Sequence, residues 1–180
     1  FGAIGVPLAL ATHGYTGFIL ALGKRPLWST ALMPTLFIVS AMVSGVALLI
    51  LVIALRMWLF WRRRPEEEKA QARALIVELG RLMAWMIVAD LFLVGNDVLV
   101  LLTSRTEELY VAHLMLAGQF APLFLGVEIG MGGFLPLGMM FAPRWGRSTI
   151  VAFISAVLVL VGVYAMRVVV VIAGQTVPLH

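Results

Sequence analysis

Apolar positions fill this chain in five long stretches, separated by short polar or proline-bearing segments. The first covers residues 1–23, and the tight turn Lys24-Arg25-Pro26 makes its successor an antiparallel neighbour. The second, 27–61, would be roughly 52 Å long at about 1.5 Å per residue, longer than a ~30 Å hydrocarbon core, so its Arg56 end protrudes or tilts. Within it Ser40, Ser44 and the Ala41/Gly45 pair form small-residue faces that permit close helix contact. The segment 62–73, RRRPEEEKAQAR, is the one strongly polar linker, and Pro65 is a natural stop for the helix before it. A third helix runs to about Ser104, a loop at 105–108 leads into a fourth at 109–141, and a fifth occupies 149–174. Pro122, Gly126, Gly130, Gly132, Gly133, Pro136 and Gly138 interrupt the fourth, and irregular backbone at membrane depth is tolerated where it is buried or lines a cavity. Stretches of this length and apolarity predict an all-α polytopic transmembrane bundle with five spans. The polar linker divides it into residues 1–64, the end of a first bundle, and 65–180, a portion of a second.

Composition sharpens this class. The chain is 62% hydrophobic and 12% charged, against about 25% charged residues in soluble domains. With no cysteine, it can hold neither a disulfide nor a thiolate-ligated cluster, so an iron-sulfur centre would have to sit on a partner. The net charge of +4 implies no nucleic acid, because in a membrane protein the placement of basic residues says more than their sum. Arg56, Arg62, Arg63, Arg64, Lys69, Arg73, Arg144 and Arg147 fall on one side, and only Lys24, Arg25 and Arg105 on the other. The positive-inside rule therefore makes the 62–73 linker cytoplasmic and the C-terminus external, in a prokaryotic cytoplasmic membrane. Phe1 already lies inside an apolar run, so further helices are expected before it.

The third helix carries the chemistry. Residues 78–97, ELGRLMAWMIVADLFLVGND, are of membrane-spanning length yet hold four ionisable side chains. Each would cost about 2.5 to 3.5 kcal/mol at the bilayer centre, so each needs a reason. Asp90 and Asp97 are two helical turns apart, on one face at different depths. Counted from the span ends, His13 and Asp90 lie near the midplane, Glu128 slightly inward, Asp97 and Arg167 in the outer third, and Glu78 and Arg81 at the inner end. Titratable groups stepping across a membrane suit a proton relay. The plainer reading makes Glu78/Arg81 an i,i+3 interface pair and Arg167 the structural counter-charge of Asp97 or Glu128.

His13, in the stretch THGYTG, has Tyr15 beside it and glycines at 14 and 17 that allow a helix or a flat ligand to approach. Quinone carbonyls take donors such as His, Tyr or Asn, although a membrane histidine is as often a packing residue. Bis-histidine haem ligation by His13 and His113 is disfavoured by a depth difference of roughly 9 Å. The ten methionines read as packing filler.

Several runs together resemble one family. THGYTGFILA, PLWSTALMPTLFIVSAMVSG, the acidic helix with GND, the run from Glu128 to Leu137 spaced E-x-G-x-G-G-x-x-P-L, and RVVVVIAGQ at 167–175 look like the NrfD/PsrC membrane subunits of polysulfide-reductase-type complexes. That family also includes the large membrane subunits of alternative complex III. The resemblance implies eight or more helices in two bundles, of which five are seen here. It further implies a subunit that reacts with quinone or quinol, while the absence of cysteine and the histidine depths give this chain neither iron-sulfur cluster nor haem. Its expected partners are a ferredoxin-like iron-sulfur subunit on the outer face, a molybdopterin-type or related catalytic subunit beyond it, other membrane subunits, and lipid. Family quinone sites near the outer face point to His13, Tyr15, Asn96 and Asp97, and proton transfer falls to Asp90, Glu128, Arg167, Glu78 and Arg81. A secondary transporter with a midplane site around Glu128 and a purely structural anchor are the competing classes.

Overall fold

A computed structural model describes residues 2–23, 28, 30–60, 65–104, 106–142, 146 and 148–176. Within them the chain is almost entirely helical: α1 (Gly2–Leu22), α2 (Met33–Phe60), α3 (Glu66–Thr103), α4 (Thr106–Leu116), a π-helical segment (Pro122–Phe134), α5 (Leu135–Phe141) and α6 (Thr149–Thr176). The all-α polytopic architecture expected from the apolar pattern is the one adopted. Four stretches are long and apolar enough to cross a membrane, Met33–Leu59, Glu66–Thr103, Pro122–Phe141 and Thr149–Gln175, and Pro7–Leu22 is a shorter fifth.

Three boundaries differ from expectation. The second helix starts at Met33, six residues late, because residues 30–32 still belong to the connection that places Trp28 against α6, where its indole N–H donates to the Val170 carbonyl at 2.8 Å. The polar 62–73 segment is a linker only in its first part. From Glu66 it is already α3, with Pro65 at the N-cap and Glu66, Glu67 and Glu68 in the first turn, where carboxylates favour the positive end of the helix dipole. The fourth helix is three pieces. Gly118 sits where a Cβ would meet the Leu114 backbone at 2.7 Å, and Pro122 then opens the π-helical segment. That segment closes with a bond from the Leu135 N–H to the Gly130 carbonyl, one residue wider than an α-helical bond.

α2 lies at the centre, packed on α1, α3 and α6, while the π segment runs along α6. Glycines set the closest approaches. A Cβ on Gly17 would meet Pro34 Cα at 2.6 Å, so α1 and α2 touch backbone to backbone there. The glycines of THGYTG thus receive a helix. Gly132 of the π segment meets Gly162 of α6 in the same way.

The apolar interior forms two clusters stacked along the bundle. One, toward the Met33 end of α2, gathers Met33, Phe37, Leu101, Val111, Phe124 and Val169; the other, toward its Phe60 end, gathers Ile50, Ile76, Met83, Ile87, Met140 and Ala152. The acidic residues of α3 lie at and beyond the seam between them. Most basic residues that set the expected orientation (Lys24, Arg25, Arg62, Arg63, Arg64, Arg105, Arg144 and Arg147) lie outside the described residues, as do residues 177–180.

Candidate functional site: a line of buried carboxyls

The buried positions of α3 recur as Ile76, Gly80, Met83, Ala84, Ile87, Val94, Asp97 and Leu101, one stripe at helical spacing. Asp97 belongs to that stripe and is only 8% exposed, while Asp90 lies on it half-buried, one turn from both Ile87 and Val94. The shared face expected from their seven-residue spacing is therefore real, and it points inward.

Asp90 opens on a cavity of about 20 Å³ whose walls include Val43, Ile87, Val94, Gly132, Gly162, Met166 and Glu128. Asp97 opens on a second cavity of about 20 Å³, walled by Met33, Leu36, Val94, Phe124, Met166 and again Glu128. Each is large enough for about one water molecule, which needs about 10–15 Å³. Glu128 belongs to both cavities, and so do Val94 and Met166. The π backbone carries Glu128 into this position, and the Gly132/Gly162 contact holds the segment against α6.

The polar atoms of this line are poorly satisfied by protein. Among the described residues Asp90 Oδ1 and Asp97 Oδ1 are buried without a hydrogen-bond partner, an arrangement that costs about 1–3 kcal/mol per group unless water answers it. Thr30 faces the Asp97 carboxyl from the connection before α2, although its hydroxyl lies outside hydrogen-bonding geometry. Among the described residues neither a hydrogen bond nor an ion pair fixes the Glu128 carboxyl. A cavity-facing acid without a fixed partner can exchange a proton, whereas one locked in an ion pair cannot do so cheaply.

Arg167 is not the expected counter-charge. Its guanidinium lies 5.3 Å from the centroid of the Phe37 ring, a cation–π contact, and no ion pair to an acid is made among the described residues. Glu78 and Arg81 do pair, at 3.5 Å, but with 67% and 60% of their side chains exposed they form the interface pair of the plainer reading and lie off the cavity line.

The expected quinone ligands divide between two places. Asn96 and Asp97 sit on α3, where Asn96 Nδ2 donates to the Phe92 carbonyl at 2.7 Å. His13 and Tyr15 project from the exposed side of α1, and neither lines the two cavities. His13 Nδ1 lies 2.9 Å from the Ala9 carbonyl. A carbonyl only accepts, so Nδ1 carries the hydrogen, and in the neutral ring Nε2 faces outward as an acceptor. Sequence reasoning passed over Val94 and Met166, two apolar residues whose part in the site comes only from lying between the acids.

Spanning helices around buried carboxyls and water-sized cavities define a polytopic membrane protein with a polar interior. The chain belongs to the family described as polysulphide reductase, NrfD, whose model matches residues 1–178. It is 27% identical over 180 residues to a selenate reductase subunit of Mesobacillus selenatarsenatis, covering 98% of this chain and 39% of that protein. It is 28% identical over 175 residues to a polysulfide reductase polypeptide of Wolinella succinogenes, covering 94% of this chain and 51% of that one. The chain thus spans between two-fifths and about half the length of these relatives.

Proposed function

We propose that this chain is part of the quinone-reactive membrane subunit of a respiratory reductase complex, exchanging electrons between the quinone pool and an iron-sulfur partner and moving protons through Asp90, Glu128 and Asp97. The single observation that carries the proton part is the placement of three carboxyls, Asp97 buried and Asp90 and Glu128 partly so, around two cavities that share Glu128. Quinol oxidation releases protons with its electrons and quinone reduction takes them up, so a subunit doing either needs titratable groups between its site and water. Membership of the NrfD family, and relatives named as parts of selenate and polysulfide reductases, support a complex with catalytic and iron-sulfur partners.

In this reading the quinone approaches from the lipid on the His13 and Tyr15 side of α1, with His13 Nε2 accepting the quinol hydroxyl proton. The iron-sulfur partner docks on the outer face, a molybdopterin-type subunit lies beyond it, and the Glu66 end of α3 faces the cytoplasm. The test uses the complete complex in vesicles. Asp90→Asn is nearly isosteric and cannot titrate, so it should slow quinone-dependent turnover and lower the proton-to-electron ratio while leaving the iron-sulfur partner bound. Unchanged rate and ratio in Asp90→Asn, Glu128→Gln and Asp97→Asn alike would show that these acids are structural. An assembled His13→Ala complex with full turnover would remove His13 from the quinone site.

A further inference from the structure

We infer that Glu128 is the obligatory crossing point between Asp97 and Asp90, its carboxyl swinging between two water-sized cavities that Val94 and Met166 keep apart. This rests on the proton-moving reading above and specifies how the path is partitioned. Asp90 and Asp97 lie about 10 Å apart along α3. One bridging water spans roughly 5.5 Å at ordinary hydrogen-bond lengths of about 2.7–2.8 Å, so a single water cannot join them. The residues common to both cavities are Glu128 and two buried apolar side chains, Val94, 7% exposed, and Met166, 5% exposed, which offer a chain of waters no hydrogen-bond partner. Glu128 is the one polar residue that lines both sides. It is also free to turn, since among the described residues nothing bonds its carboxyl.

The step balances in protons. Protonated Asp97 passes a proton through a water to the Glu128 carboxylate and becomes the carboxylate itself. The neutral acid of Glu128 then rotates past the apolar wall, carrying the proton without net charge. On the other side it gives the proton through a water to the Asp90 carboxylate, and the Glu128 carboxylate swings back past the wall, the return that moves the charge, to be protonated again by Asp97. The reverse order serves the opposite direction. Val94 and Met166 are positioning residues in this scheme: by excluding water they keep each proton step waiting on the rotation, which prevents a continuous leak.

The experiment compares variants of the complete complex in vesicles, reading proton movement per electron and turnover. Glu128→Gln keeps shape and removes titration, and should lower the proton-coupled rate at least about tenfold with an unchanged thermal midpoint. Met166→Ala opens the wall to water, so the double variant Glu128→Gln/Met166→Ala should regain much of the lost rate, while Met166→Ala alone should conduct protons without turnover. If Asp90→Asn and Asp97→Asn impair the complex but Glu128→Gln does not, the crossing does not use Glu128, although the relay itself stands. Loss in Glu128→Gln without recovery in the double variant, or no leak in Met166→Ala, overturns the partition. Should Glu128→Gln fail to assemble, Glu128→Asp carries the same test, because a side chain one methylene shorter reaches only one of the two cavities.

Discussion

The contact of Gly132 with Gly162 gives the sharpest stability test. A Cβ added at Gly132 would stand 2.5 Å from Gly162 Cα, and one added at Gly162 would meet Gly132 Cα in turn. Ordinary van der Waals contact begins near 3.4 Å, so the π segment and α6 would have to part by about 0.9 Å. Both obstacles are backbone atoms, which cannot swing aside. A gap of about 0.5–1 Å forfeits a quarter to a half of each contact's attraction of about 0.1–0.2 kcal/mol, and with some tens of contacts along this face the loss comes to about 2 kcal/mol. That agrees with the ~1–3 kcal/mol typical of overpacking. We therefore expect Gly162→Ala to shift the unfolding equilibrium about thirtyfold toward the unfolded state. The assay is denaturant unfolding of the complex in mild detergent, followed by tryptophan fluorescence. Gly45→Ala is the control, because nothing lies within 4 Å of its would-be Cβ and alanine favours a helix by roughly 0.5–1 kcal/mol over glycine. If Gly162→Ala proves as stable as Gly45→Ala, the two segments are not in backbone contact.

Further outcomes follow from individual residues. A cysteine placed at exposed Gln71, in a stretch that has none, should be labelled only from the cytoplasmic side, judged against the unsubstituted complex; reaction from outside inverts the topology. Trp28→Phe removes the 2.8 Å bond to the Val170 carbonyl and should lower stability by about 1 kcal/mol in the same unfolding assay. Replacing Glu78 by Gln should change stability by less than about 0.5 kcal/mol and leave turnover intact, because the pair with Arg81 is exposed.

What local pattern governs was readable in advance. Apolar stretches marked the spans, and the seven-residue spacing put Asp90 and Asp97 on one face, because both depend only on helix geometry. The proline and glycine density around Glu128 marked a broken helix. Its π form was not readable, since it depends on how α6 presses against Gly132. The helical start at Glu66 had a signal, three glutamates behind a proline, which the polarity of the linker outweighed. Charge alone pairs Arg167 with an acid, whereas Phe37, from a distant part of the sequence, takes the guanidinium. The outward direction of His13 followed from which side of α1 met α2, decided by Gly14 and Gly17 fitting against Ile38 and Pro34. Val94 and Met166 show the same limit: lining two cavities at once is a property of three helices together.

The π segment has a consequence for insertions and deletions. Each of its turns closes over one residue more than an α-helical turn, so the azimuth of Glu128 depends on how many residues are wound into 122–134 and not on a bond at its tip. Removing one residue upstream of Glu128, such as Gly126, would change that winding and is expected to rotate the carboxyl away from both cavities. Backbone winding thus acts as the aiming device of this acid, and a shift of one residue can disarm it although every acid of the line is still present.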